Sequence, residues 1–230
     1  EGTRYTNQDI KTLGILANQA AMALQNAEYS GIIGLDPLTG LFNCGYCLLR
    51  LGEEIKESLR YGNPLGLIFG DIDYFKVYND TYGHPAANKV LKALARYLKE
   101  QCRGADIICR YGGEEFVIIL PMTNLEQTKV IAERIRIFLK DYPLLNKITL
   151  SLGVTAVSSR EEWEAFKAYT AEGIRDLLID QADKALYRAK HEGRNKVCWH
   201  EEGIPAILEE KPSEGDILAI MSAGAYGFSM

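Results

Sequence analysis

Residues 65–69, Leu-Gly-Leu-Ile-Phe, are almost wholly apolar and lead straight into Asp71-Ile72-Asp73. A short apolar run of this kind is the signature of a strand buried on both faces. Such a strand needs helices packed over its sheet, and the chain supplies them. Leu48, Leu51, Ile55 and Leu59 mark one helical face; Val90, Leu91, Leu94 and Leu98 mark another. Residues 107–110 and 116–120 predict two further strands, with Gly112-Gly113-Glu114-Glu115 as the turn between them. Thr123-Asn124-Leu125-Glu126 reads as a capping box opening a helix that runs to about Leu139. Residues 148–157 predict a strand. Ala182, Ala185, Leu186 and Ala189 mark a last helix stopped by Gly193, and residues 195–199 a closing edge strand. The predicted order is β-α-α-β-β-α-β-α-β, an α/β class with a central sheet and helices packed against it.

The chain has 230 residues, 47% hydrophobic and 25% charged, enough for one sizeable domain with extensions or two small ones. Those proportions exclude a disordered chain, a collagen-like repeat and a disulfide-stapled mini-protein. No apolar run approaches the roughly 20 residues of a membrane helix, so no membrane span is expected. With a net charge of -5 a basic nucleic-acid surface is not the default expectation, and there is room for a local basic pocket. The chain starts at Glu1 without a signal segment, which predicts a piece of a longer cytoplasmic protein.

Five cysteines without a secretory signal predict reduced thiols: Cys44, Cys47, Cys102, Cys109 and Cys198. Cys44-Gly45-Tyr46-Cys47 is a C-x-x-C at the expected start of a helix, where a thiol pKa would be lowered. It has no second pair for structural zinc and no strand–helix redox context, so the spacing is read as incidental.

Two acidic clusters stand at strand ends: Asp71 with Asp73, and Glu114 with Glu115. If the hairpin pairs beside the first strand, they face each other. Such hard oxygen ligands suit Mg²⁺, which binds a few carboxylates together with substrate phosphates. Acidic residues are also common in turns as backbone caps, and carboxylates alone favour that plainer reading. Gly112-Gly113 shifts the balance. Two glycines in a tight hairpin allow positive φ and let a nucleotide approach the backbone. Lys190 and Arg194 near the last helix's C-terminus read either as complements to its dipole or as a phosphate clamp.

With these residues in view, the chain resembles the GGDEF-domain diguanylate cyclases. Asp36-Pro37-Leu38-Thr39-Gly40-Leu41-Phe42-Asn43 resembles their opening motif. Asp71-Ile72-Asp73-Tyr74-Phe75-Lys76, Asn79-Asp80 and Gly83-His84 resemble their nucleotide-binding stretch. Gly112-Gly113-Glu114-Glu115-Phe116 is the GGEEF form of the signature, and Ala189-Lys190 with Gly193-Arg194-Asn195 resembles the closing motif. Four motifs in order are highly specific.

The resemblance implies a mostly antiparallel sheet akin to nucleotidyl cyclases and polymerase palms, with a catalytic domain over residues 36–200. It implies condensation of two GTP into cyclic di-GMP by a homodimer, each protomer holding one GTP. Asp71, the Ile72 carbonyl and Glu114 would hold Mg²⁺, with Mn²⁺ as the alternative ion and Glu115 assisting. Glu114 would also be the base for the attacking 3′-hydroxyl. Lys76 would stabilise phosphate charge, Phe75 would belong to the nucleotide-binding set, and Lys190 and Arg194 would grip the triphosphate. Asn79 and Asn88 would read the guanine, with His84 nearby. Arg103-Gly104-Ala105-Asp106 matches the family's R-x-x-D inhibitory site for the product, so Arg103 and Asp106 are expected to mediate feedback.

Three departures follow. Family members usually carry Gly-Asp where Ala87-Asn88 stands here. Asn offers a donor as well as an acceptor to the base, which predicts relaxed selectivity and some cyclic GMP-AMP. The alternative is that Asn79 and the backbone still select guanine. Cys44 and Gly45 replace two common arginines. At the ends, residues 1–35 read as the last helix of an upstream GAF-like sensor plus a hinge. Thr6 is its N-cap, and Ile10, Leu13, Ala17, Ala20, Leu24 and Ala27 form a heptad seam. That seam equally suits a helix packed on its own domain's core. Residues 201–230 form a tail of unclear role, in which 214–221 and 224–230 resemble the end of diaminopimelate decarboxylases without that family's catalytic lysine. An inactive receptor for cyclic di-GMP is the rival reading of the whole.

Overall fold

The computed structural model describes residues 34–200, together with Thr12. The heptad seam, the GAF-like segment and residues 201–230 lie outside the described residues. From Leu35 onward the chain builds a five-stranded sheet in the order β2-β3-β1-β4-β5. Its elements run α1 (Cys44–Tyr61), β1 (Leu65–Ile72), α2 (Phe75–Tyr82), α3 (His84–Gln101), β2 (Ile107–Arg110) and β3 (Glu115–Pro121). They continue with α4 (Leu125–Phe138), a 3₁₀ turn (Leu139–Asp141), β4 (Leu150–Val157), α5 (Arg160–Ala165), α6 (Ala171–His191) and β5 (Val197–Trp199).

The apolar run becomes the central strand, and every residue of β1 is buried. It pairs antiparallel with β3 on one side and β4 on the other, while β5 closes one edge parallel to β4. The sheet is therefore mostly antiparallel, as expected. The predicted stripe of α3 lies in the core: Val90, Leu91, Leu94 and Leu98 are buried together with Ile68, Ile118 and Leu152. On α1, Leu51 and Ile55 are buried.

Local chemistry sets the ends. The Asn43 side chain accepts from the Tyr46 amide and caps α1. Gly62 closes that helix at φ 74, a left-handed cap that favours glycine. The capping box of α4 is one residue later than predicted. Asn124 and Gln127 exchange the paired bonds, and the buried Thr123 hydroxyl donates instead to the Pro121 carbonyl. The α5 helix was not predicted. It is a single short segment capped by Ser159 and held by buried Trp163, whose indole donates to the Asn63 carbonyl at 2.7 Å.

Glycine decides one packing contact. A Cβ on Gly153 of β4 would stand 2.0 Å from the Ala182 carbonyl oxygen and 2.2 Å from the Leu186 nitrogen. Only a bare backbone lets α6 lie this close, and α6 carries Lys190 towards the end of β1.

Candidate active site

The acidic clusters do face each other. In the β1–β3 register Asp71 stands directly opposite Glu115, and the Ile72 amide donates to the Glu114 carbonyl at 3.4 Å. The turn is closed by the Tyr111 and Gly112 amides, both donating to the Glu115 carbonyl at 2.8 and 3.3 Å. The Tyr111 ring meets Phe69 edge-on, centroids 5.0 Å apart, which fixes the turn to β1.

The glycines serve differently from expectation. Neither Gly112 nor Gly113 has a left-handed φ. A Cβ on Gly112 would lie 2.3 Å from a Glu115 carboxylate oxygen, whereas one on Gly113 would meet nothing within 4 Å. Gly112 thus makes room for the site's own acid, and Gly113 leaves an open approach.

Asp71 and Asp73 have separate roles. Asp73 is buried and accepts from the Thr149 hydroxyl (2.6 Å), the Ser151 hydroxyl (2.6 Å) and the Asn195 amide (3.0 Å). Its oxygens are committed to two hydroxyls and one backbone amide. Asp71 instead forms an ion pair with Lys190 at 2.9 Å. Burial raises the Asp71 carboxyl above its ordinary value, with Asp73 adding to the rise and Lys190 and Arg194 opposing it. Burial also raises Glu114 and Glu115, and the Asp71 charge pushes both further. Three carboxylates share one ammonium, so the cluster carries surplus negative charge.

That surplus is the fit test for a divalent cation. The donors are hard oxygens, and among the described residues only Lys190 forms an ion pair with them, to Asp71. Among the described residues no three acidic, histidine or cysteine side chains already form a metal cage. Mg²⁺ commonly takes one or two carboxylates and completes its shell with water and substrate phosphate, so the set fits it. Ile72 ends β1 opposite Leu150, where its backbone carbonyl is the only donor it could offer.

The remaining expected residues lie on α2, α3 and the turn after α6. Lys76 is exposed on α2, while the Phe75 side chain serves the core and stacks parallel to Tyr78. Asn79 carries a buried side-chain oxygen with no hydrogen-bond partner, an acceptor left for a ligand donor. His84 opens α3 and is exposed, as is Asn88, whereas the methyl of neighbouring Ala87 is in the core. Arg194 rests against Tyr74, 4.5 Å from the ring centroid. Away from this group, the Asp106 carboxylate accepts from the Arg103 amide at 2.7 Å and braces its own turn. Arg134 reaches the same corner, donating to the Gln101 carbonyl at 2.5 Å.

Several residues escaped the sequence reading. Arg110 immediately precedes the turn and binds both it and Asp36. Asp183 lies two helical turns before Lys190 on α6, a spacing that places both on one face. Desolvation raises its carboxyl and the Lys190 charge opposes the rise. Arg134 was hidden within the amphipathic pattern of α4. The C-x-x-C behaves contrary to a lowered thiol pKa. Burial raises Cys44, and Cys47 is raised by its contact with Cys109 and by burial.

Comparison with known proteins agrees with this arrangement. The family model for the diguanylate cyclase GGDEF domain matches residues 33–196. Diguanylate cyclase DgcP of Pseudomonas aeruginosa is 42% identical over 167 residues, covering 70% of this chain and 23% of that protein. Diguanylate cyclase A of Treponema denticola is 32% identical over 210 residues, covering 88% and 54%. The chain thus spans between about a quarter and about half of these relatives' lengths. Among solved structures, the active GGEEF domain of a diguanylate cyclase from Vibrio cholerae superimposes with a TM-score of 0.61 at 30% identity. The match covers 70% of this chain and 97% of that one. The GGDEF domain of DgcB from Caulobacter crescentus, solved in complex with c-di-GMP, gives 0.63 at 28% identity, covering 74% and 94%.

Proposed function

This chain belongs to the diguanylate cyclase GGDEF-domain family, and from that premise we propose that it condenses two GTP into cyclic di-GMP and two pyrophosphates. The observation that carries the reading is the placement of Asp71 directly opposite Glu115, next to Glu114 and paired with Lys190, with Arg194 close by. Each 3′-oxygen bonds to the α-phosphorus of the other nucleotide, and the bond to the bridging oxygen of the β-phosphate breaks. Pyrophosphate leaves and the hydroxyl proton passes to a base.

Asp71, Glu114 and the Ile72 carbonyl, with Glu115 assisting, would hold Mg²⁺. The ion supplies charge neutralisation at the phosphates when bound. Glu114 takes the hydroxyl proton. Lys190 now neutralises Asp71, and a triphosphate competes for the same ammonium. Arg194 and Lys76 add positive charge. The unpartnered oxygen of Asn79 receives a donor of the base. Little covalent chemistry falls to the protein; it positions and neutralises.

The reaction needs two nucleotides face to face, hence a homodimer, and the seam at Ile10, Leu13 and Ala17 supports pairing driven by an upstream sensor. Arg103 and Asp106, with Arg134 beside them, fit product feedback. Asn88 supports a second reading, a hybrid cyclase that also makes cyclic GMP-AMP, because its amide confronts guanine N1–H with a donor.

Turnover with GTP, with ATP and with their mixture in Mg²⁺ tests these readings, using Glu114→Ala as control. Cyclic di-GMP from GTP, lost in the control, supports the cyclase. Cyclic di-GMP alone from the mixture rejects the hybrid. No product from any mixture, with cyclic di-GMP still bound, replaces the cyclase by a receptor.

A further inference from the structure

The geometry points to Tyr74 as the positioning residue for Arg194: its ring holds the guanidinium off the acidic cluster, so that it stays available to a polyphosphate. The inference deepens the reading of Arg194 given above and rests on it.

Arg194 and Lys190 are both close enough to influence Asp71, and their situations differ. Lys190 has settled on the Asp71 carboxylate at 2.9 Å. Arg194 has no carboxylate partner among the described residues. It lies over the Tyr74 face, its guanidinium carbon 4.5 Å from the centroid, with a long 3.5 Å contact to the phenol oxygen. A guanidinium is attracted to an aromatic face, and apart from the long contact to the phenol oxygen that attraction engages none of its donors.

The backbone on both sides of this contact is left-handed. Tyr74 has φ 56, although it bears a large side chain and caps α2 without a side-chain hydrogen bond. Arg194 has φ 62 and Asn195 φ 47, following Gly193 at φ 109. Left-handed conformations at such residues persist only where surroundings impose them, and they gather at functional sites. Here the surroundings are explicit. Asp73 accepts from the Asn195 amide, and Arg136 donates to the Asn195 carbonyl and side-chain oxygen at 3.2 and 3.1 Å. Two consecutive residues of the second motif thus grip two consecutive residues of the last, Asp73 to Asn195 and Tyr74 to Arg194.

Tyr74 is 62% exposed, so its ring contributes little to the core. Without the ring, Arg194 is free to fold onto Asp71 as Lys190 has done. Binding a triphosphate would then require that ion pair to break first, a preorganisation cost visible as weaker affinity.

Calorimetric titration of the full chain with α,β-methylene GTP in Mg²⁺ tests this, since that analogue cannot react. Tyr74→Leu should weaken binding by about two- to fivefold, whereas Tyr74→Phe, which keeps the ring, should bind as wild type. In turnover the same factor should enter KM for GTP and leave kcat unchanged. In an Arg194→Ala background, Tyr74→Leu should cause no further loss. Equal affinity of Tyr74→Leu and wild type overturns the inference, as does an undiminished loss in the Arg194→Ala background. If wild type does not bind the analogue, the nucleotide reading itself fails and the inference falls with it.

Discussion

Arg110 ties Asp36 to the signature turn. One terminal nitrogen donates to both Asp36 carboxylate oxygens at 3.1 Å, while Nε and the other terminal nitrogen donate to the Gly113 carbonyl at 3.1 and 2.7 Å. The first motif of the chain therefore braces the turn of the third through a residue belonging to neither.

This brace has a pH signature. Burial raises the Asp36 carboxyl, but bonds from the Thr39 hydroxyl and amide and from Arg110 outweigh it, so the net value is lowered from 3.8. A carboxylate lowered in the folded state adds stability above its ordinary value and loses it as pH falls through the lower one. Asp36→Asn should cost about 1–3 kcal/mol at pH 7. Denaturant melts should show the gap to wild type closing as pH falls below 3.8.

The carboxylates of the site have the opposite sign. Glu114 is raised by burial and by Asp71, so its ionised form costs stability once pH exceeds the raised value. Glu114→Gln should leave the melting temperature in EDTA equal to or above that of wild type. The same variant should lose about a hundredfold or more of GTP turnover. A fall in both together would mean that Glu114 holds the fold.

Legibility in the sequence followed periodicity and motif. The central strand, the α3 stripe and the facing of Asp71 and Glu115 were readable because burial and pairing follow local pattern. Arg110, Tyr74 and Asp183 were not, because their partners lie far along the chain: Asp36, Arg194 and Lys190. The role of Gly112 was misjudged for a related reason. Glycine signals either a backbone angle or a missing Cβ, and only the position of the Glu115 carboxylate shows which. The distinct tasks of Asp71 and Asp73 depend on Thr149 and Ser151, which no local pattern marks, and on Asn195, whose motif does not show its partner.

Product feedback should pass through the corner formed by Arg103, Asp106 and Arg134. Arg103→Ala should relieve inhibition of GTP turnover by added cyclic di-GMP, with the uninhibited rate within about twofold of wild type, because this corner lies outside the acidic cluster. A fork-shaped guanidinium is suited to phosphate or guanine acceptors, and alanine removes it. Unchanged inhibition would sink the feedback reading.

The thiols should be unreactive in the native protein. Burial pushes Cys102 up to about 12, and Cys44 and Cys47 are raised as well. Reagents that attack thiolates at pH 8 should label them at least about tenfold more slowly than in the unfolded chain. Cys44→Ser should leave turnover unchanged in both reducing and mildly oxidising buffer. Redox-sensitive turnover abolished by that substitution would restore the C-x-x-C as a switch.

Gly153→Ala should damage the fold more than its size implies. The added methyl would meet the backbone of α6 at 2.0 and 2.2 Å, where no flexible side chain can yield. Overpacking of this kind costs about 1–3 kcal/mol or more. Thermal melts should show the loss, and β4 and α6 should exchange amide hydrogens faster.

The Asp73–Asn195 bond also carries an order of events during synthesis. The acids lie in the first half of the domain, while Lys190, Arg194 and the closing strand β5 come at its very end. A nascent chain that has left the ribosome as far as β4 already exposes its carboxylates without the cations that balance them. On the proposed reading, the share of nucleotide affinity that Lys190 and Arg194 supply would arrive only when the final thirty or so residues of the domain dock. A chain stalled or cut before that point would be a poor trap for cellular GTP.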